Sequence, residues 1–134
     1  MKAAGIPIGA TRPFSGKLVA VIEDDALVLE ATTGLLRSWG FRVIGAECCD
    51  DALRQLVRAR QRPDLIISDY RLAKGLSGVD AIEGLRNAFE IPAFLISGDA
   101  SSPVGSLGPR SYQLLYKPVN TEAFRSALID ACFR

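Results

Sequence analysis

The fold class this sequence predicts is α/β, a doubly wound parallel sheet, and two features predict it. Short apolar runs alternate along the chain with segments whose apolar residues recur at helical spacing, and the first run is apolar throughout, as in a strand covered on both faces. That alternation implies right-handed crossovers, a parallel sheet and helices on both sides of it. Length agrees, because 134 residues, 49% of them hydrophobic, can bury one sizeable core and leave little for a second domain.

Taken in order, "MKAAGIPIGATRPFSG" (1–16) is Gly- and Pro-containing and reads as a flexible leader, with the domain expected over 17–134. "KLVAVI" (17–22) is the first strand. Leu27, Ala31 and Leu35 then recur at helical spacing, with Leu36 and Trp39 nearby, and Gly40 stops that helix. "RVIGAE" (42–47) is a second, weaker strand. Asp50 or Asp51 is suited to cap a helix with Ala52, Leu53, Leu56 and Val57 on one face, which ends before Pro63. "DLIISD" (64–69), "IPAFLIS" (91–97) and "QLLYK" (113–117) complete five strands. One further helix carries Ile82, Leu85 and Phe89. The last, capped by Asn120, carries Phe124, Ala127, Leu128 and Ala131, with Cys132 on its apolar side. Trp39 reads as core or helix-end packing.

Composition removes several function classes. Sixteen basic and fifteen acidic side chains leave a net charge of +1, so no global field favours nucleic acid or an anionic membrane. No apolar run approaches the roughly 18 residues of a membrane span, and the first residues have too weak an apolar core for a signal peptide. Cys48, Cys49 and Cys132 are odd in number and show no C-x-x-C spacing, as expected of reduced thiols in a cytoplasmic protein.

In doubly wound folds, ligands bind beyond the carboxyl ends of the strands. Those ends present Glu23 and Asp24 from the first strand, Asp69 from the third, Ser97 from the fourth and Lys117 from the fifth. Taken singly they are bland. "EDD" at a strand end reads more readily as a helix cap with solvated charge, Asp69 as a turn residue and "KP" as a strand ending. Their placement on four strand ends of one sheet turns the reading toward a metal and phosphoacceptor site.

The elements "VIEDD", "IISDYRL", "LISGD" and "LYKPV" together resemble the receiver domain of two-component response regulators, the chemotaxis-Y-like fold, from about Lys17 to the C-terminus. The wording "SDYRL…G…DAIEGLR…IPAFLISGD…YKPV" is most similar to receivers at the C-terminus of hybrid histidine kinases. The resemblance implies strand order 2-1-3-4-5 and a phosphorelay role in which Asp69 becomes an aspartyl phosphate. It also implies Mg²⁺ held by Asp24 directly, by Glu23 through water, by Asp69 and by the backbone carbonyl of Arg71. Asp25 would face outward at the helix start, where its charge suits the N-terminal dipole. Lys117 would pair with the carboxylate and then with a phosphoryl oxygen, the Ser97 hydroxyl would follow that oxygen, and Gly98 would leave room for it. Pro118 would follow a cis peptide that aims the lysine.

The chain contains no histidine to carry a phosphoryl group, so a partner must supply it; the resemblance implies a histidine kinase or histidine phosphotransfer domain, for which a small acyl phosphate can substitute in a test tube. The domain would then act only on itself, in its own phosphorylation and dephosphorylation. Neither direct nucleic-acid binding nor membrane binding is expected, and a homodimer is left open. Two other enzyme classes fail on motif. "EDDA" lacks the D-x-D of haloacid-dehalogenase-type phosphatases, and G-x-x-x-x-G-K-[ST] does not occur.

Two positions depart from the family pattern. The switch aromatic is replaced by Leu114, flanked by Tyr112 and Tyr116. The segment "DASSPVGSLGPRSYQ" should hold the fourth helix, but Pro103, Gly105, Gly108 and Pro109 predict a short or irregular one. These departures support an alternative, a degenerate receiver that docks or dimerises without phosphorylation. Arg71 and Asp99, each two residues past a site residue, are expected to pair across the mouth of the site and slow hydrolysis by steric closure.

Overall fold

A computed structural model describes residues 14–72, 77–98, 113–117 and 120–133. Five parallel strands, β1 (Leu18–Ile22), β2 (Arg42–Ala46), β3 (Leu65–Asp69), β4 (Ala93–Ser97) and β5 (Gln113–Tyr116), form one sheet in the order β2-β1-β3-β4-β5. Four helices accompany them: α1 (Ala26–Ser38), α2 (Cys49–Ala59), α3 (Gly78–Arg86) and α4 (Thr121–Phe133). The expected fold class and strand order are both present. The segment expected to form an irregular helix between β4 and β5 lies outside the described residues.

Every residue of β1 is buried, and the period of two divides its side chains between two cores. Leu18 and Ile22 join Ala52 and Leu56 of α2 and Ile82 and Leu85 of α3 on one face. Val19 and Val21 join Leu36 of α1 and Phe124 and Leu128 of α4 on the other. These two layers hold the strand ends in fixed register, with Ile22 opposite both Ala46 and Ser68, and Asp69 opposite Ile96.

Several local expectations shift. Phe14, inside the expected leader, is fully buried, stacks on Phe41 at 4.4 Å and donates its backbone N–H to the Trp39 carbonyl at 3.1 Å. Phe14 therefore packs as part of the core, because burying an aromatic ring outweighs the turn-forming character of its neighbours. On α1, Leu27 is 77% exposed and Ala31 is exposed, while Leu29, Leu35 and Leu36 pack inward. The start of the helix is set by Asp25, the N-cap, whose carboxylate accepts from the Leu27 and Val28 N–H groups.

On α2 the cap is Cys48 rather than Asp50 or Asp51, and both acids instead occupy the first turn, where the helix dipole favours them. Ala52 and Leu56 are buried as expected, but Val57 is 71% exposed, so the apolar face is narrower than the sequence pattern suggested. Helix α3 ends at Arg86, and Phe89 follows in a closing turn held by its N–H bond to the Leu85 carbonyl. Asn120 caps α4 as expected, accepting from the Ala123 N–H at 3.0 Å. Trp39 is buried at the end of α1, and the three cysteines are unpaired.

Helix α2 closes on Arg60, a non-glycine residue in the left-handed region at φ 54° and ψ 45°. This conformation brings Cβ close to backbone and favours glycine. Arg60→Gly is expected to stabilise the fold by about 0.5–1 kcal/mol, read as a raised urea midpoint with unchanged slope.

Candidate functional site

Asp69 and Ser97 end their strands, Glu23 and Lys117 lie one step beyond theirs and Asp24 two, and backbone bonds that continue the ladder fix these ends. Glu23 N–H donates to the Ala46 carbonyl at 2.9 Å, Tyr70 N–H to Ile96 at 2.8 Å and Lys117 N–H to Ser97 at 2.8 Å. Residues far apart in sequence are thereby aimed at one edge.

Carboxylate oxygens of Glu23, Asp24 and Asp69 all lie within 4.8 Å of one another. Lys117 Nζ is 2.7 Å from Asp69 Oδ1, a charge-assisted contact. Glu23 is buried and its Oε2 accepts from the Asp25 N–H at 3.1 Å. Burial, followed by the charges of Asp69 and Asp24, holds its pKa above the ordinary 4.5, against the opposing pull of the Asp25 N–H and Lys117. Burial alone would lower the pKa of Lys117, but its hydrogen bond to Asp69 and the nearby carboxylates carry it above the ordinary 10.5. Three hard oxygen donors at this spacing, with one lysine as their fixed counter-charge, fit a divalent cation that takes few carboxylates and keeps its waters.

Asp69, Arg71, Gly98 and Lys117 line an open recess of about 330 Å³, wide enough for a phosphoryl-sized group. The structure thus brings Glu23, Asp24, Asp69 and Lys117 together and places Arg71 at the same mouth. Ser97 is buried at the end of β4. Among the described residues, a Cβ added to Gly98 would meet only Lys117 Cδ, at 3.9 Å. Leu114, the switch position, is partly buried against the core shared with α2 and α3, whereas Tyr116 is 42% exposed. Asp99, Tyr112 and Pro118 lie outside the described residues, so the expected Arg71–Asp99 pairing does too.

Sequence reasoning missed Gly78. A Cβ there would fall onto the Asp69 carbonyl oxygen and 2.7 Å from Leu95 Cδ1, and the Gly78 N–H donates to the Tyr70 carbonyl at 2.7 Å. The start of α3 therefore braces the backbone of Asp69. The available signal was a glycine directly after the capping Ser77, a place where most residues serve equally well.

A five-stranded 2-1-3-4-5 sheet with acids and one lysine on its carboxyl edge defines the receiver class. Residues 19–129 match the response regulator receiver domain family, and the chain belongs to it. The chain is 28% identical over 115 residues to the phyllosphere-induced regulator PhyR of Methylorubrum extorquens, covering 86% of this chain and 43% of that protein. It is 33% identical over 119 residues to the transcriptional regulatory protein KdpE of Mycobacterium tuberculosis, covering 87% and 51%. The solution structure of the PhyR receiver domain of Erythrobacter litoralis superposes with a TM-score of 0.74 at 27% identity, covering 89% of this chain and 92% of that one. The chain spans about half the length of these curated relatives. No helix among the described residues is long and apolar enough to cross a membrane.

Gly78→Ala is expected to displace the Asp69 backbone and cost about 1–3 kcal/mol in overpacking, measured by urea unfolding.

Proposed function

We propose that this domain is the phosphoacceptor of a two-component phosphorelay, taking a phosphoryl group from a phosphohistidine onto Asp69. The observation that supports this best is the 2.7 Å contact of Lys117 with Asp69 beside two further carboxylates, at the floor of an open recess. In the transfer, an Asp69 oxygen bonds to phosphorus as the phosphorus–nitrogen bond of the donor breaks, and that electron pair stays on the imidazole. Lys117 passes from the carboxylate to a phosphoryl oxygen, and the Ser97 hydroxyl follows the same group. Asp24, Asp69 and the Arg71 carbonyl, with Glu23 through water, would hold Mg²⁺. When bound, magnesium offsets the charge of carboxylates and phosphoryl oxygens.

The domain acts on itself alone and turns over no external substrate. With no histidine of its own, it depends on a histidine kinase or histidine phosphotransfer domain in the cytoplasm. Arg71, with Asp99, would narrow the mouth and slow hydrolysis. The relatives named above are regulators, so the likeness to hybrid-kinase receivers rests on sequence wording alone. One observation favours a second reading as a phosphorylation-independent docking module: the aliphatic Leu114, packed into the core where an aromatic switch is expected.

Mass spectrometry after treatment with a small acyl phosphate and Mg²⁺ separates the two. The phosphoacceptor reading expects a single phosphoadduct that Asp69→Ala abolishes, whereas an unmodified intact protein supports docking alone.

The pKa of Glu23 adds a pH test. A carboxylate raised on folding contributes stability that is fully present below 4.5 and lost as pH climbs through its folded value. Cation binding needs the ionised form, so stabilisation by Mg²⁺ should grow with pH across that window. At roughly 100-fold excess over Kd it should reach about 2.7 kcal/mol at neutral pH. Thermal unfolding with Mg²⁺ or with chelator checks this, and a shift that is absent or independent of pH contradicts it.

A further inference from the structure

The outward face of α2 has a polarity that the acid site does not use. Asp50, Leu53 and Val57 recur along this helix, and Arg60 continues the same spacing as its C-cap, so the four trace one seam at offsets of three, four and three. Val57 is 71% exposed, and Leu53, which packs partly against the core, also lines an open groove with Asp50, Val57 and Arg58. Asp50 lies at the amino end of the seam, Arg58 and Arg60 at the carboxyl end, and all three are exposed with no ion pair among the described residues. Arg54, also exposed, already pairs with Asp51 of its own helix at 3.6 Å.

Such a seam, acidic at one end, apolar in the middle and basic at the other, complements its own reverse. We infer that the occupant of this face is a second copy of the chain, its α2 antiparallel to the first across a two-fold axis. In that register Leu53 of each copy meets Val57 of the other, and Asp50 of each meets Arg60 of the other, with Arg58 beside it. A two-fold contact satisfies both ends with one surface. A parallel pairing would set like charges together. The dimer also gives the left-handed Arg60 a purpose that glycine, though better suited to that backbone, cannot serve.

An 11-residue helix is only about 16 Å long, so the contact is smaller than the roughly 800 Å² per partner of standard interfaces, and association is weak. None of these residues lines the acid recess, so the dimer stands or falls independently of phosphoryl transfer.

Sedimentation equilibrium of the full chain over a wide concentration range tests the proposal. The unaltered protein should self-associate reversibly. Val57→Asp, Asp50→Lys and Arg60→Asp should each raise the dissociation constant roughly tenfold, and Asp50→Lys combined with Arg60→Asp should restore association. Arg60→Gly should weaken the dimer while raising thermal stability, a split that damage to the fold would not produce. Circular dichroism confirms that each variant is folded. A protein that stays monomeric throughout overturns the proposal. So does association indifferent to these substitutions, which places the interface elsewhere.

Discussion

Mutual repulsion among Glu23, Asp24 and Asp69 is the constraint around which the carboxyl edge of the sheet is organised. Oxygens of three carboxylates within 4.8 Å would drive their supports apart if those were flexible. They are instead anchored by ladder hydrogen bonds at strand ends whose flanks are buried on both faces. The rigid sheet keeps the acids close, Lys117 relieves Asp69, and burial with repulsion leaves Glu23 reluctant to ionise. The edge is thus poised to take up positive charge from solution, and the open recess beside Asp69 gives such charge a reason to be there.

The bracing extends one layer back. Asp69 is fixed from the sheet through its pairing opposite Ile96 and from the side by the first residue of α3, where Gly78 allows the helix to touch its backbone. On the proposed phosphoacceptor reading, a carboxylate held on both sides would lose little entropy on reacting, which matters for a transfer that depends chiefly on position and charge.

Much of this could be read in the sequence, because the apolar runs within "KLVAVI" and "DLIISD" form buried strands that lead directly into the candidate site residues. What escaped depends on contacts that periodicity does not encode. The inward face of α1 is Leu29, Leu35 and Leu36, fixed by packing against the sheet, and of the Leu27–Ala31–Leu35 repeat only Leu35 takes part. Phe14 could not be distinguished from a leader residue, since its partners Trp39 and Phe41 lie more than twenty residues on. Gly78 is one glycine among twelve until the Asp69 carbonyl is seen against it.

Phe14 also fastens the two ends of the described fold. Its ring lies 4.4 Å from Phe41, 6.0 Å from Phe133 and 6.3 Å from Trp39, while Trp39 meets Phe124 edge-on at 5.9 Å. Phe14 and Phe41 sit where β1 and β2 begin, and Trp39 with Phe124 extends the cluster toward α4. Trp39 is the chain's single tryptophan, so intrinsic fluorescence here is an optical gauge of how firmly the entry and the final helix stay docked. Phe124, the edge-on neighbour of Trp39, also lines a cavity with Glu23, Asp69 and Lys117, so the gauge has a direct neighbour at the acid edge.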